Sequence, residues 1–128
     1  MRLLLDTCAF LWVAQQPALV SRAARDAIDD PANELFVSDV SVWEITMKHS
    51  AGKLPLPASP RRWIPAKFAY HQFQRLTLEH EAIYRSGDLP RGHPDPFDRL
   101  LAAQAIGAGM TLISPDTSLS LLGAARVW

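Results

Sequence analysis

Four acids in this chain stand where strands hand over to helices. Asp6 directly follows a run of leucines, Glu44 lies on a helix after a second strand, Asp98 falls in the first turn of an apolar helix, and Asp116 comes just after a late strand. Carboxylates gathered at one pole repel one another and raise each other's proton affinity unless a cation neutralises them. A hard divalent ion is the natural remedy. Mg²⁺ and Mn²⁺ prefer oxygen ligands, and Mg²⁺ keeps several waters while taking one or two carboxylates directly, which leaves the other acids to hold waters. Such a site can activate a water as nucleophile and neutralise the charge that builds on a phosphodiester, with one metal or two.

Each acid also has a plainer use. Asp6 and Asp116 suit helix N-caps, Asp98 suits the third position of a capping box with Asp95, and Glu44 can pair with Lys48 one turn on. Glu44 weighs most against that plain set. Helical spacing puts it beside Val40, Trp43, Met47 and Ala51, an apolar face where a surface ion pair does not belong. A carboxylate turned inward needs a partner such as a metal, because an unpaired buried one costs several kcal/mol or becomes protonated.

The elements that must position these acids alternate between strand and helix. Arg2 to Leu5 reads as a short buried strand and Thr7 to Ala14 as the helix after it, stopped before Pro17. A second helix runs from Ser21, its N-cap, to Asp29, and Pro31 with Asn33 turns the chain into a strand over Glu34 to Val37. Ser38 and Asp39 open an apolar helix over Val40 to Ala51, closed by Gly52 with Pro55 beyond. Leu54 to Pro65 carries several prolines and reads as an irregular stretch leading to a helix near Trp63 to Tyr70. Phe73 to Leu78 reads as a strand, Glu79 to Ser86 as a short helix, and Leu89 to Pro94 as a loop.

Asp95 and Pro96 then make a strong helix start, N-cap followed by proline at the first helical position, for a helix reaching about Gly107. Its interior, Leu100 to Ile106, is apolar nearly all round and should be buried. Met110 to Ile113 reads as a strand and Arg126 to Trp128 as a final edge strand. Short apolar strands alternating with helices predict an α/β fold, a parallel sheet covered on both faces. In such sheets the functional site lies beyond the carboxyl ends of the strands.

The composition bounds the rest. With 128 residues, 48% of them hydrophobic, the chain suits a single domain over 1–128 with a core of its own. Thirteen Lys+Arg balance thirteen Asp+Glu, which excludes a protein that coats nucleic acid by charge alone. Arg22, Arg25, Lys48, Lys53, Arg61, Arg62, Arg85, Arg91 and Arg99 are scattered, and read one at a time as solvated surface charges. Asp6 interrupts the apolar start, so no signal peptide is read there, and no stretch approaches the roughly 20 apolar residues of a membrane span. A lone cysteine, Cys8, fits a reducing cytoplasm. Nothing pairs it with a base, and a small buried hydrophobe is the usual role for such a residue. His49, His71, His80 and His93 lack zinc-site spacing, and His93, just before Pro94, reads as an exposed loop residue.

The ordered pieces together resemble the PIN-domain toxins of type II toxin-antitoxin pairs, the VapC-like ribonucleases. They are Leu3-Leu4-Leu5-Asp6-Thr7, then Ser38-Asp39-Val40-Ser41-Val42-Trp43-Glu44-Ile45, then Gly52-Lys53-Leu54. His93-Pro94-Asp95-Pro96-Phe97-Asp98-Arg99 with Leu101-Ala102-Ala103-Gln104-Ala105 is the most specific piece, and Leu112-Ile113-Ser114-Pro115-Asp116 closes the series. The resemblance covers the whole chain. It implies a three-layer α/β/α sandwich with a central parallel sheet, Mg²⁺ or Mn²⁺ dependence and endonucleolytic cutting of structured RNA.

By the same resemblance Asp6, Glu44, Asp98 and Asp116 are the acidic quartet that holds metal and does the catalysis, and Thr7 and Ser114 are accessory polar groups. Asp95 caps its helix and stands close enough to join the site's outer shell. Where the family often has Thr-x-Asp, this chain has Ser114-Pro115-Asp116; serine keeps the hydroxyl, and Pro115 removes a backbone donor. The resemblance further implies a homodimer and a cognate antitoxin that lays its C-terminal segment across the site and presents an arginine to the carboxylates. Trp12, Trp43, Trp63, Phe68, Tyr70 and Phe73 could line such a groove, although core packing is the commoner use of aromatics.

Other functions fit the residues less well. A receiver-type signalling domain also collects acids and Mg²⁺ at strand ends, but it wants an adjacent acidic pair after one strand and a lysine after a late one, and neither occurs here. Dinucleotide binding lacks its glycine-rich first turn. A PIN fold kept only as an RNA- or partner-binding module is opposed by the presence of all four acids.

Overall fold

In β1 (Arg2–Leu5) three leucines are completely buried although successive side chains of a strand point to opposite faces, so both faces of the strand must be covered. They are. In the computed structural model, which describes residues 1–128, Leu3 and Leu5 join one apolar cluster with Phe10, Val37, Ile45, Trp63 and Ile113. Leu4 joins the other, with Phe36, Val40, Leu101, Ala102, Ala105 and Leu112. Burying a leucine fully contributes roughly 1.5–3 kcal/mol, which makes this short strand an anchor of the fold.

The sheet has five strands in the order β3-β2-β1-β4-β5, and every pairing is parallel. After β1 come α1 (Thr7–Gln15), α2 (Arg22–Asp29), β2 (Glu34–Ser38), α3 (Asp39–Ser50), α4 (Pro60–His71) and β3 (Gln74–Leu76). Then follow α5 (His80–Asp88), α6 (Pro96–Ala108), β4 (Thr111–Ile113), a 3₁₀ segment over Thr117–Leu122 and β5 (Arg126–Val127). The expected three-layer α/β/α sandwich is the fold observed. No helix is long and apolar enough to cross a membrane.

The chain builds outward from β1 on one side through β2 and β3, then crosses to the other side for β4 and β5. The order therefore reverses between β1 and β4, where helices diverge to opposite faces and leave a crevice at the carboxyl ends. Leu5 pairs with Ile113 there, and the next amide, that of Asp6, donates to the Ile113 carbonyl at 3.0 Å.

Local signals fix the helix ends as the sequence suggests. Ser21 accepts from the Ala24 amide at 3.1 Å, Ser38 from Val40 at 2.9 Å, and Asp95 from Phe97 at 2.9 Å. Gly109 ends α6 in the left-handed conformation, φ +66. One expectation fails at α4, which starts at Pro60 and runs through Pro65 instead of beginning near Trp63. Pro60 occupies the first helical turn, where a missing amide costs nothing. Trp63 and Ile64 carry the helix onto the core, burial that outweighs the one hydrogen bond Pro65 cannot make.

A second correction concerns α3. Its buried residues are Val40, Ser41, Glu44 and Ile45, whereas Trp43 and Met47 are half exposed, at 50% and 47%. The apolar residues on several sides of this helix made two faces look eligible for the core. Packing against the sheet selected the face that carries Glu44.

Candidate active site

A cavity of about 290 Å³ opens at the crevice and is lined by Asp6, Thr7, Cys8, Glu44, Asp95, Asp98, Pro115 and Asp116. All four strand-end acids singled out from the sequence meet there, with Asp95 and Thr7 beside them. Ser114 supports the same cavity from beneath.

Asp6 is 4% exposed and caps α1: one carboxylate oxygen accepts from the Ala9 amide at 2.7 Å, the other from the Ser114 hydroxyl at 2.5 Å. Ser114 Oγ in turn accepts from the Asp116 amide at 3.0 Å, so a single serine links the acids that follow β1 and β4. Pro115 does not disturb this link, because the donor used belongs to the next residue. Thr7 donates to Ser41 Oγ at 2.9 Å, which joins α1 to α3.

Glu44 is 6% exposed and accepts from Lys48 Nζ at 2.5 Å. The two readings of this residue thus turn out to be compatible: the carboxylate is buried, and its pairing lysine reaches in from solvent. The Lys48 ammonium is held above its usual proton affinity by the hydrogen bond to Glu44.

Asp116 caps the 3₁₀ segment, with one oxygen accepting from the Ser118 amide at 2.9 Å and from its hydroxyl at 2.6 Å. Its other oxygen faces His93 Nε2 at 3.5 Å, and an Asp98 oxygen faces the same nitrogen at 3.4 Å. Ligand atoms of His93, Asp98 and Asp116 all lie within 4.8 Å of one another, a spacing that a shared cation would fit. Asp95 accepts from the amides of Phe97 and Asp98, at 2.9 and 3.4 Å, so its helix-capping role is met.

His93 is the residue that sequence reasoning misplaced. Its side chain is only 12% exposed, because the 89–95 loop folds back over the start of α6. Arg99, one turn into α6, holds that loop: its guanidinium donates to the carbonyls of Ser86 at 2.8 Å, Leu89 at 3.0 Å, Pro90 at 2.9 Å and His93 at 3.4 Å. A rigid fork of donors suits the closing of a loop on its own carbonyls. The only sequence signal for either role was their place in the segment His93 to Arg99.

The electrostatics follow from the geometry. Asp6 is pushed up to about 6, chiefly by burial and further by the charges of Asp116 and Glu44, against which the Ser114 and Ala9 hydrogen bonds pull it down. Asp98 is pushed up to about 7, first by burial and then by Asp95, with Asp6 and Glu44 adding to the repulsion. Asp116 goes the other way, lowered mainly by the Ser118 hydroxyl. Cys8 is driven up to about 11 by burial and then by Asp6, which favours the protonated thiol.

The donor set fits a hard divalent cation. It consists of carboxylate oxygens, with one imidazole at its edge, and it gathers more negative charge than Lys48 and His93 can balance. Buried Asp6 and half-buried Asp98 resist ionisation, as acids gathered to receive a cation do while none is bound.

Comparison with known proteins agrees with this arrangement. A family model described as the PIN domain matches residues 3–124. Ribonuclease VapC22 of Mycobacterium tuberculosis is 30% identical over 117 residues, which is 91% of this chain and 88% of that protein. Among solved structures, VapBC2 from Rickettsia felis bound to a DNA fragment from their promoter superposes with a TM-score of 0.70 at 12% identity, covering 98% of this chain and 97% of that one. VapBC-1 from nontypeable Haemophilus influenzae gives 0.65 at 16% identity, covering 98% and 96%. Likeness at such low identity establishes the fold.

Proposed function

This chain belongs to the PIN domain family, and from that premise we propose that it is a VapC-like endoribonuclease, the toxin of a toxin-antitoxin pair. Residues 1–128 form one catalytic domain. The observation that carries the reading is the meeting of Asp6, Glu44, Asp98 and Asp116 in one cavity at the point where the strand order reverses. Identity to a named ribonuclease along nearly the whole chain supports the same chemistry.

Asp6, Glu44, Asp98 and Asp116 would hold a divalent cation, Mg²⁺ or Mn²⁺, directly or through waters, with Asp98 and Asp116 the pair whose oxygens already lie within reach of one ion. When bound, that ion supplies charge neutralisation at the scissile phosphate and a more acidic water. The chain's own groups do the rest. Ser114 fixes Asp6 and Asp116 relative to each other, so the acids on β1 and β4 cannot drift apart. Asp6 and Asp98, which keep protons up to about 6 and 7 while no cation is bound, would give them up to take one. Lys48 keeps the buried Glu44 carboxylate compensated and turned into the cavity.

The partners proposed are an RNA substrate, a cognate antitoxin and a second copy of the chain; the likeness to a named ribonuclease supports the first, and the VapBC complexes that share the fold support the second. An arginine from an antitoxin would match the carboxylates and compete with both metal and phosphate. Treatment of total RNA with the purified chain tests the reading. Cleavage is expected with Mg²⁺ or Mn²⁺, and none with EDTA or in Asp98→Asn. Equal cleavage by that variant would remove Asp98 from the site, and metal-independent cleavage would overturn the mechanism.

A further inference from the structure

His93 lines one cavity and touches the acids of another, of opposite character. Its Nε2 meets the carboxylates of Asp98 and Asp116, while the same residue helps to wall a second cavity of about 530 Å³ with Gly87, Arg91, Gly92, Pro94 and Arg99. No carboxylate lines this second space, and apart from Pro94 nothing aliphatic does. Arg91 is exposed and takes part in none of the ion pairs of the molecule. Arg99 is bound to four backbone carbonyls and to no acid, so its charge stays in the wall and its position is fixed.

Gly92 adopts φ +118, a backbone state that side chains avoid, and no atom lies within 4 Å of where its Cβ would stand. A ligand can therefore approach the main chain closely at that point. The lining suits an oxyanion far better than an apolar group.

An RNA strand carries a charge at every nucleotide, so a strand whose scissile phosphate lies at the acids must run its other phosphates across the adjoining surface. The acidic cavity repels those phosphates, and a cationic cavity next to it, whose His93 touches Asp98 and Asp116, receives one. We propose that the Arg91–Arg99 cavity is a subsite for a backbone phosphate of the RNA, beside the one that is cut. The inference rests on the ribonuclease reading for its substrate class. Arg99 is fixed as part of the wall, and Arg91 is the free arm that closes on the phosphate.

The test is fluorescence anisotropy of a labelled single-stranded RNA oligonucleotide, measured in EDTA so that nothing is cut, over a range of salt concentrations. Each phosphate contact to a single strand contributes about 0.7 to the slope of log affinity against log salt. Arg91→Gln should reduce that slope by about 0.7, Arg91→Glu by more, and Arg22→Gln, on a helix packed on the other sheet face, not at all. A labelled glutamate-rich peptide is titrated in parallel.

A slope in Arg91→Gln equal to that of the parent overturns the proposal, as does parent protein that shows no salt-dependent RNA binding. Loss of peptide binding with RNA binding intact also overturns it, by making the cavity a protein contact. Failure here leaves metal-dependent cleavage untouched, whereas a parent that binds through Arg91 but never cuts RNA would sink the nuclease reading and keep the subsite.

Discussion

The inner and outer halves of the carboxylate cavity are built by different means. Asp6 and Glu44 are 4% and 6% exposed and are carried by β1 and α3, elements whose apolar residues form the two clusters of the core. Asp116 and His93 are held instead by local devices, a turn capped on Ser118 and a loop tied down by Arg99, while Asp98 stands at the border, on a helix that joins the core but next to that loop. The inner half is thus as rigid as the fold, while the outer half depends on a few side-chain hydrogen bonds. Burial makes Asp6 and Asp98 hard to ionise, and the Ser118 hydroxyl makes the rim acid Asp116 easy.

The largest expected effect tests the inner half. Asp6→Asn should lower RNA cleavage by about 10³-fold or more while the protein stays folded, because an amide oxygen can still accept from Ala9. Asp116→Asn should cost less, about 10–100-fold, as an acid held at the rim. Equal losses, measured as kcat/KM on one oligonucleotide, would erase the distinction between the halves.

Arg99→Gln sharpens the comparison from the other side. It removes donors from several loop carbonyls at once, and a hydrogen bond from a charged group is worth roughly 1.5–3 kcal/mol. We expect cleavage to fall about tenfold and the thermal midpoint by about 5–10 °C. Metal affinity at Asp6 should barely change. An unaltered midpoint would show that the loop is held by something other than this clamp.

The smallest effect is in pH and needs no RNA. With no cation bound, folded Asp6 and Asp98 keep protons up to about 6 and 7, whereas the unfolded chain releases them in the ordinary carboxylate range. Over that window the folded state binds more protons, so these groups' contribution to stability is greatest below about pH 4 and falls as pH rises through 6 to 7. A divalent cation binds the ionised form and should restore the loss, so Mg²⁺ should raise the midpoint by several degrees at pH 8 and hardly at all at pH 5. A cation effect of equal size at both pH values would contradict the assignment.

What could be read from the chain follows the same division. The leucines of β1 and the Asp95-Pro96 helix start are local patterns with local causes, and they led to the parallel sheet and to its acidic pole. Asp6 and Asp116 were legible because they stand next to strands. His93 was not, since its burial depends on a loop with no periodicity, folded by an arginine that sits in the next helix. Arg91 and Arg99 looked like two more scattered surface charges until the same loop brought them to one cavity. On α3, apolar residues on more than one side left the buried face to be chosen by the sheet, which is why Trp43 and Met47 face outward while Glu44 faces in.

Titration of Mn²⁺ into the protein at pH 8, with free ion followed by its electron paramagnetic resonance signal, tests most directly whether these carboxylates act together. The parent should bind Mn²⁺, and Asp6→Asn and Asp98→Asn should each lose at least tenfold in affinity while remaining folded. Binding of equal strength in the parent and both variants would mean that the acids from β1 and α6 do not share an ion.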